Sequence, residues 1–201
     1  MRKKIITLAA LVVLVPLINS YSQDVQANLD SALSSYKTGD LDQTRYALQQ
    51  ALTGINQAIG KEILLVLPAS MEGMVSDEKS DNLTGTSIGF AGLFVSRTYT
   101  GDKTSGSINI ISDSPMLAGI NTLLTMPAFM SSDPNQKRIK INNYKALMTK
   151  STSDDGTVSY TIQLPFSNSL LTFDCKGFDN ENKVTGMANM IPVDKIVKLT
   201  Q

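Results

Sequence analysis

The residues of this chain that could do chemistry are few, and one absence narrows them sharply. Among 201 residues there is no histidine. That removes the commonest general base, the usual partner of a nucleophilic serine or cysteine, and the commonest metal ligand. Neither a Ser-His-Asp triad nor a His-bearing zinc site can be written. One hydrolytic route survives, because a lysine amine can activate a serine without imidazole. Two Ser-x-x-Lys spacings exist, Ser34 with Lys37 and Ser76 with Lys79. The first falls at a predicted helix end and the second in a polar loop with no partner motif, so both read as chance spacings.

Methionine offers soft-metal chemistry. The pairs Met71/Met74, Met126/Met130 and Met187/Met190 are spaced three or four residues apart. Thioether clusters can hold Cu(I), yet this spacing more often fills a core or lines an adaptable apolar groove. Met126 and Met130 are therefore candidate contacts for a partner or apolar ligand, and no cofactor or metal is expected. Asp154-Asp155-Gly156 and Asp179-Asn180-Glu181 lack the alternating oxygens and closing glutamate of a calcium loop. They read as a hairpin turn and a helix start. Gly85, Gly89 and Gly92 match no phosphate-binding pattern and read as a bulge or a close approach of another element.

Two single residues stand out. Cys175 is the only cysteine, so no internal disulfide can form. Period-two alternation puts it on the face of Leu171 and Phe173, as a buried thiol. Arg97, in Val95-Ser96-Arg97-Thr98-Tyr99, shares a face with Val95 and Tyr99. Either that face is wet, or Arg97 is covered and paired with an acid such as Asp113; a structural ion pair is expected ahead of anion binding.

The elements that must position these residues change character near Pro68. Before it, apolar residues recur at helical spacing. Val25, Leu29, Ala32, Leu33 and Tyr36 form one stripe. Gly39 supplies a left-handed stop and Asp40 the next N-cap. Leu41, Leu48, Leu52, Ile55 and Ile59 continue on a second helix through Ile63 to Val66, which Pro68 ends. After Pro68, alternation predicts strands over 94–99, 107–111, 138–141, 144–148, 158–164 and 170–175. Asn142-Asn143 is a two-residue hairpin turn, and Ser167-Asn168-Ser169 forms another turn. Between the second and third strands, Asp113 or Ser114 caps a helix with Pro115 at its first position and Met116, Leu117, Ile120, Leu123 and Leu124 buried. A helix over 180–190 and an amphipathic end with Val193, Ile196, Val197 and Leu199 close the chain.

The expected fold class is α+β: an antiparallel helical hairpin at 23–67, then a domain at 68–201 with an antiparallel sheet of about six strands and packed helices, β-β-α-β-β-β-β-α. Tyr36-Lys37-Thr38-Gly39-Asp40-Leu41-Asp42, with Ala47 and Ala51-Leu52, resembles the turn and second helix of a tetratricopeptide unit. Such units stack in about three copies to bury their faces. No second copy follows, so the stripe must pack on the next domain or on a partner. The element order after residue 84 is similar to the PsbP-like superfamily, which implies helices around an antiparallel sheet. Leu67-Pro68-Ala69, Ser96-Arg97-Thr98-Tyr99 and Asp113-Ser114-Pro115-Met116-Leu117 resemble blocks of small exported bacterial proteins of no assigned function.

The address comes from residues 1–22. Arg2, Lys3 and Lys4 precede an apolar run from Ile5 to Ile18, and Ser20 and Ser22 stand three and one places before Gln23. This is the layout of a secretory signal peptide, with a run short of the roughly twenty residues a membrane span needs. Its loss takes three of 18 basic residues and none of 18 acidic ones, leaving 15 against 18, a net charge of −3. A mildly acidic chain has no long-range pull on nucleic acid. Lys137, Arg138 and Lys140 alternate with Ile139 and Ile141 as the solvated face of a half-buried strand.

Together these features predict a periplasmic or secreted protein without a stable membrane span after cleavage. It is expected to be non-enzymatic and to bind a protein partner or a small apolar ligand, with Leu29, Leu33 and Tyr36 on the hairpin as contacts. The competing expectation is a cell-envelope hydrolase using carboxylates or a Ser-Lys pair. Burial of Leu29, Leu33, Leu48 and Leu52 against the sheet would instead make the hairpin a brace.

Overall fold

The computed structural model describes residues 20–85, 92–125 and 133–201. The expected leader lies outside these residues up to position 19. Helix α1 (Ser20–Thr38) and helix α2 (Leu41–Val66) form the hairpin. Gly39, at φ +80°, makes the left-handed stop. The Asp40 carboxylate caps α2 by accepting the Gln43 N–H at 3.0 Å, which satisfies one of the donors a helix start leaves open.

Among the described residues the sheet has nine antiparallel strands. Six are the long strands that alternation marks, β4 (Phe94–Thr100), β5 (Ser105–Ser112), β6 (Gln136–Ile141), β7 (Tyr144–Thr152), β8 (Val158–Phe166) and β9 (Ser169–Lys176). Three short ones precede them: β1 (Ser70–Met71), β2 (Met74–Ser76) and β3 (Asn82–Thr84), with a 3₁₀ turn at Glu78–Ser80. The spatial order is β1-β2-β4-β5-β9-β8-β7-β6, and β3 also pairs with β4. Met71 and Met74 therefore face each other across a tight β1–β2 hairpin rather than along a helix.

The inner face of the sheet carries Val95, Tyr99, Ile108, Ile110, Phe173, Cys175, Tyr160 and Ile162, all buried. Helices α4 (Glu181–Met190) and α5 (Val193–Leu199) supply Val184, Met187, Val193 and Ile196 to the same core. Ile63 and Leu67 from the end of α2 belong to it as well. Helix α3 (Leu117–Thr125) covers one corner of the outer face, where Ile120 and Leu124 meet Leu147 and Leu170. It starts later than Pro115 implies, and Met116 is exposed rather than buried.

Turn chemistry explains the registers. Asn142 and Asn143 both take positive φ, +46° and +73°, which suits the twist of a two-residue hairpin. The Asn142 N–H is accepted by the Asn189 side chain at 2.9 Å, and its own amide donates to the Ile191 carbonyl at 2.7 Å. One turn residue thereby ties the β6–β7 hairpin to the end of α4. The β8–β9 turn is tighter than the sequence implies: Phe166 pairs with Ser169, so the loop is Ser167-Asn168 alone.

Candidate functional site

The hairpin is closed by small residues. Ala32 on α1 and Ala47 and Ala51 on α2 are buried. At Gly54 an added Cβ would stand 2.6 Å from a Val25 methyl, so the Val25 side chain occupies the space a larger residue there would need. The large residues of the apolar stripes are not in this seam. Leu33 is 54% exposed, Tyr36 65%, Leu48 45% and Leu52 55%. Leu29, Leu41 and Ile55 are exposed too.

These seven side chains share one side of the hairpin. A helix turns about 100° per residue. Viewed from its N-terminus, α1 carries Leu29, Leu33 and Tyr36 about 90° clockwise of its packed line, which runs through Val25, Asn28, Ala32 and Ser35. In the same view α2 carries Leu41, Leu48, Leu52 and Ile55 about 90° clockwise of Thr44, Ala47, Ala51 and Gly54. The helices are antiparallel, so displacements of the same hand fall on the same side. The result is a continuous two-helix apolar face. Exposed apolar patches of this kind on a folded protein mark interaction sites.

Along α2 the ridge Ile55–Ile59–Ile63–Leu67 drifts around the helix as 3.6-residue periodicity dictates. It passes from an exposed Ile55 to a fully buried Ile63. The C-terminal half of α2 is thus anchored in the sheet core, with Gly60 seated under the Leu83 side chain. The N-terminal half, with α1 on it, carries the exposed face. The Asn56 side-chain amide adds a tether, donating to the Gly92 carbonyl at 2.7 Å. Gly85 lies against the α2 backbone, where an added Cβ would come within 2.6 Å of the Thr53 carbonyl oxygen. Of the methionines expected to join the apolar surface, Met126 and Met130 lie outside the described residues. Met71, Met74 and Met187 are core residues.

Arg97 is on the inner face and only 6% exposed. Its partner is Asp81, not Asp113. Nε donates to one Asp81 carboxylate oxygen at 2.9 Å and Nη2 to the other at 2.5 Å, a bidentate fork. Nη1 reaches the Leu67 carbonyl at 3.5 Å. The β3–β4 pairing sets Asn82 opposite Ser96 and so delivers Asp81 beside Arg97. The hydrogen bond to Asp81 raises the Arg97 pKa further. Beside it, the Tyr99 hydroxyl donates to the Pro68 carbonyl at 2.9 Å, and burial pushes its pKa up to about 12. The guanidinium is committed to pinning the end of α2 to the sheet, which leaves little of it for an external anion. An open hollow of about 510 Å³ lies alongside, lined by Lys61, Leu64, Leu65, Glu78 and Asp81 among others.

The remaining chemical candidates are scattered. Ser34 and Lys37 sit at the end of α1, while Ser76 is on β2 and Lys79 in the 3₁₀ turn. Among the described residues no hydrogen bond joins either serine hydroxyl to its lysine, and no group of three or more Asp, Glu or Cys side chains could hold a metal. Cys175 is buried, and burial pushes its thiol up to about 12, far from a reactive thiolate. Asp155 accepts the Thr157 N–H inside the β7–β8 turn, and Asn180 caps α4.

No protein-family model and no curated protein sequence matches this chain. One solved structure, the extracellular domain of PknH from Mycobacterium tuberculosis, aligns with 75% of this chain and 96% of its own at 9% identity and a TM-score of 0.29. A likeness that distant carries no argument. Among the described residues no helix is long and apolar enough to cross a membrane.

Proposed function

We propose that this is an exported, non-enzymatic binding module whose working surface is the apolar face of the α1–α2 hairpin, and that the surface receives a protein. One observation carries the reading: seven large apolar side chains stand exposed on one side of a hairpin that is already closed by alanines. Folding does not use them, since the seam is complete without them and the anchor lies further along α2. A protein surface of matching shape gains by covering them, at about 25 cal/mol for each Å² of apolar area removed from water. A small apolar ligand fits less well, because such ligands are held in concave pockets and this face is the ridged side of two helices. The leader at residues 1–22 supports export, and the mild net acidity supports a partner other than nucleic acid.

The test compares tagged wild type with a Leu33→Asp/Leu48→Asp/Leu52→Asp variant, both produced in the native host and recovered gently from its envelope. Wild type should retain at least one protein in constant proportion, untagged copies of the chain counted among them, and the variant should lose it while keeping native circular dichroism. Retention of the same proteins by both would overturn the assignment of the face.

A further inference from the structure

We infer that the protein covering this face is a second copy of the chain, docked about a two-fold axis parallel to the hairpin so that the four helices form an antiparallel bundle. The inference rests on the reading of the face given above and adds the identity of the occupant.

The two halves of the face are complementary to each other. Along α1 the exposed apolar positions run Leu29, Leu33, Tyr36 in four-three spacing, with Gln26 before them. Along α2 they run Leu41, Leu48, Leu52, Ile55, with Arg45 completing the series. These are the alternating seam positions of a helical packing interface. Within one hairpin, Val25 lies level with Gly54, so heights match where residue numbers sum to about 79. A two-fold parallel to the helices keeps those heights and sets α1 of one copy antiparallel on α2 of the other. Leu33 then meets Leu48, and Leu29 meets Leu52, in successive layers. Tyr36 comes against Arg45, which suits a guanidinium over a ring.

Charge fixes the pairing. Flanking the seam, the outer edge of α1 carries Asp30 and Lys37, and that of α2 carries Asp42 and Gln49. At the same heights Lys37 faces Asp42 of the second copy, and Asp30 faces Gln49. No hydrogen bond or ion pair joins Lys37's ammonium to another described residue, whereas Asp42 holds Arg45 at 3.1 Å on an almost fully exposed carboxylate. The inner edges, facing the bundle axis, are Val25, Ala32, Thr44 and Ala51, small enough for four helices to meet. The sheet is no obstacle. It holds α2 by Gly60, Ile63 and Leu67, on the side away from α1, so the two sheet domains flank the bundle on opposite sides.

The size is adequate. Fifteen residues of exposed α2 span roughly 22 Å, and two helices side by side roughly 20 Å. A ridged surface of that footprint buries on the order of 600 Å² per partner, the lower end for a stable pair. The dimer should therefore form in the micromolar range.

Sedimentation velocity of the full mature chain from 1 to 100 µM tests this. Wild type should pass from monomer to dimer, and Leu33→Asp should remain monomeric at every concentration. Lys37→Asp and Asp42→Lys should each weaken the dimer about tenfold, and the two combined should recover it to within about threefold. Circular dichroism keeps loss of folding distinct from loss of pairing. A wild-type monomer at 100 µM, or a dimer indifferent to Leu33→Asp, would overturn the inference. So would failure of the combined reversal to recover. If the chain is monomeric while the envelope partner is still lost with the triple variant, the second copy is wrong and the binding face stands.

Discussion

At the scale of residues, the groups with chemical potential are spent on structure. The Arg97–Asp81 fork is the clearest case, with side chains 7% and 13% exposed. Removing one member strands a charge. Arg97→Met should destabilise by about 3–5 kcal/mol in urea unfolding, while Arg97→Met with Asp81→Leu should recover most of that, because the cost lies in the orphaned carboxylate. An anion-binding Arg97 would show no such recovery. Cys175 makes a second case. Its folded pKa of about 12 stands above the ordinary 9.0, so between those pH values the unfolded chain holds fewer protons than the folded one. Stability is complete below pH 9 and falls as pH rises toward 12, by up to roughly 3–4 kcal/mol. Tyr99, raised to about 12 from 10.0, adds to the fall over its upper part. A Cys175→Ala variant should begin its alkaline loss about one pH unit later than wild type, read by chemical unfolding at each pH.

At the scale of elements, what was legible depended on length and on local turn chemistry. The six long strands run six to nine residues, long enough for four or more residues of each to mark it, and their order along the chain could be read directly. Strands β1 to β3 have two or three residues each, too few for alternation to show. Met71 and Met74 counterfeit a helical spacing while lying across a turn. The partner of Arg97 was hidden for a related reason: Asp81 follows the 3₁₀ turn, and only the short β3–β4 ladder brings it home. Turns were more transparent, since Asn142-Asn143 announces its left-handed backbone. What the sequence does not disclose is that Asn142 also bonds to α4. Asn142→Gly keeps the backbone geometry and removes the side-chain amide, so the β6–β7 hairpin should form with a loss of about 1–2 kcal/mol. Faster amide exchange confined to the β6–β7 hairpin and the end of α4 would mark the lost tether; an unchanged stability would contradict it.

At the scale of the whole molecule, the hairpin inverts the usual meaning of an amphipathic stripe. Periodicity identifies the apolar side of a helix, but not whether its cover lies in the same chain. Leu29, Leu33 and Tyr36 read as a stripe that must pack somewhere, and the structure shows alanines making the seam and leucines left outside it. If folding does not use those leucines, the Leu33→Asp/Leu48→Asp/Leu52→Asp variant should unfold within about 1 kcal/mol of wild type in dilute solution, since surface changes rarely cost more. A brace that presses on the sheet would lose several times that.

Contact between this face and a protein is best measured at the face itself. A photoreactive phenylalanine analogue at position 33, with the same analogue at Val75 as an exposed control elsewhere on the molecule, can be irradiated in living cells that export the chain. A discrete protein adduct is expected from position 33 and none from position 75. No adduct at position 33, or equal adducts from both, would contradict it.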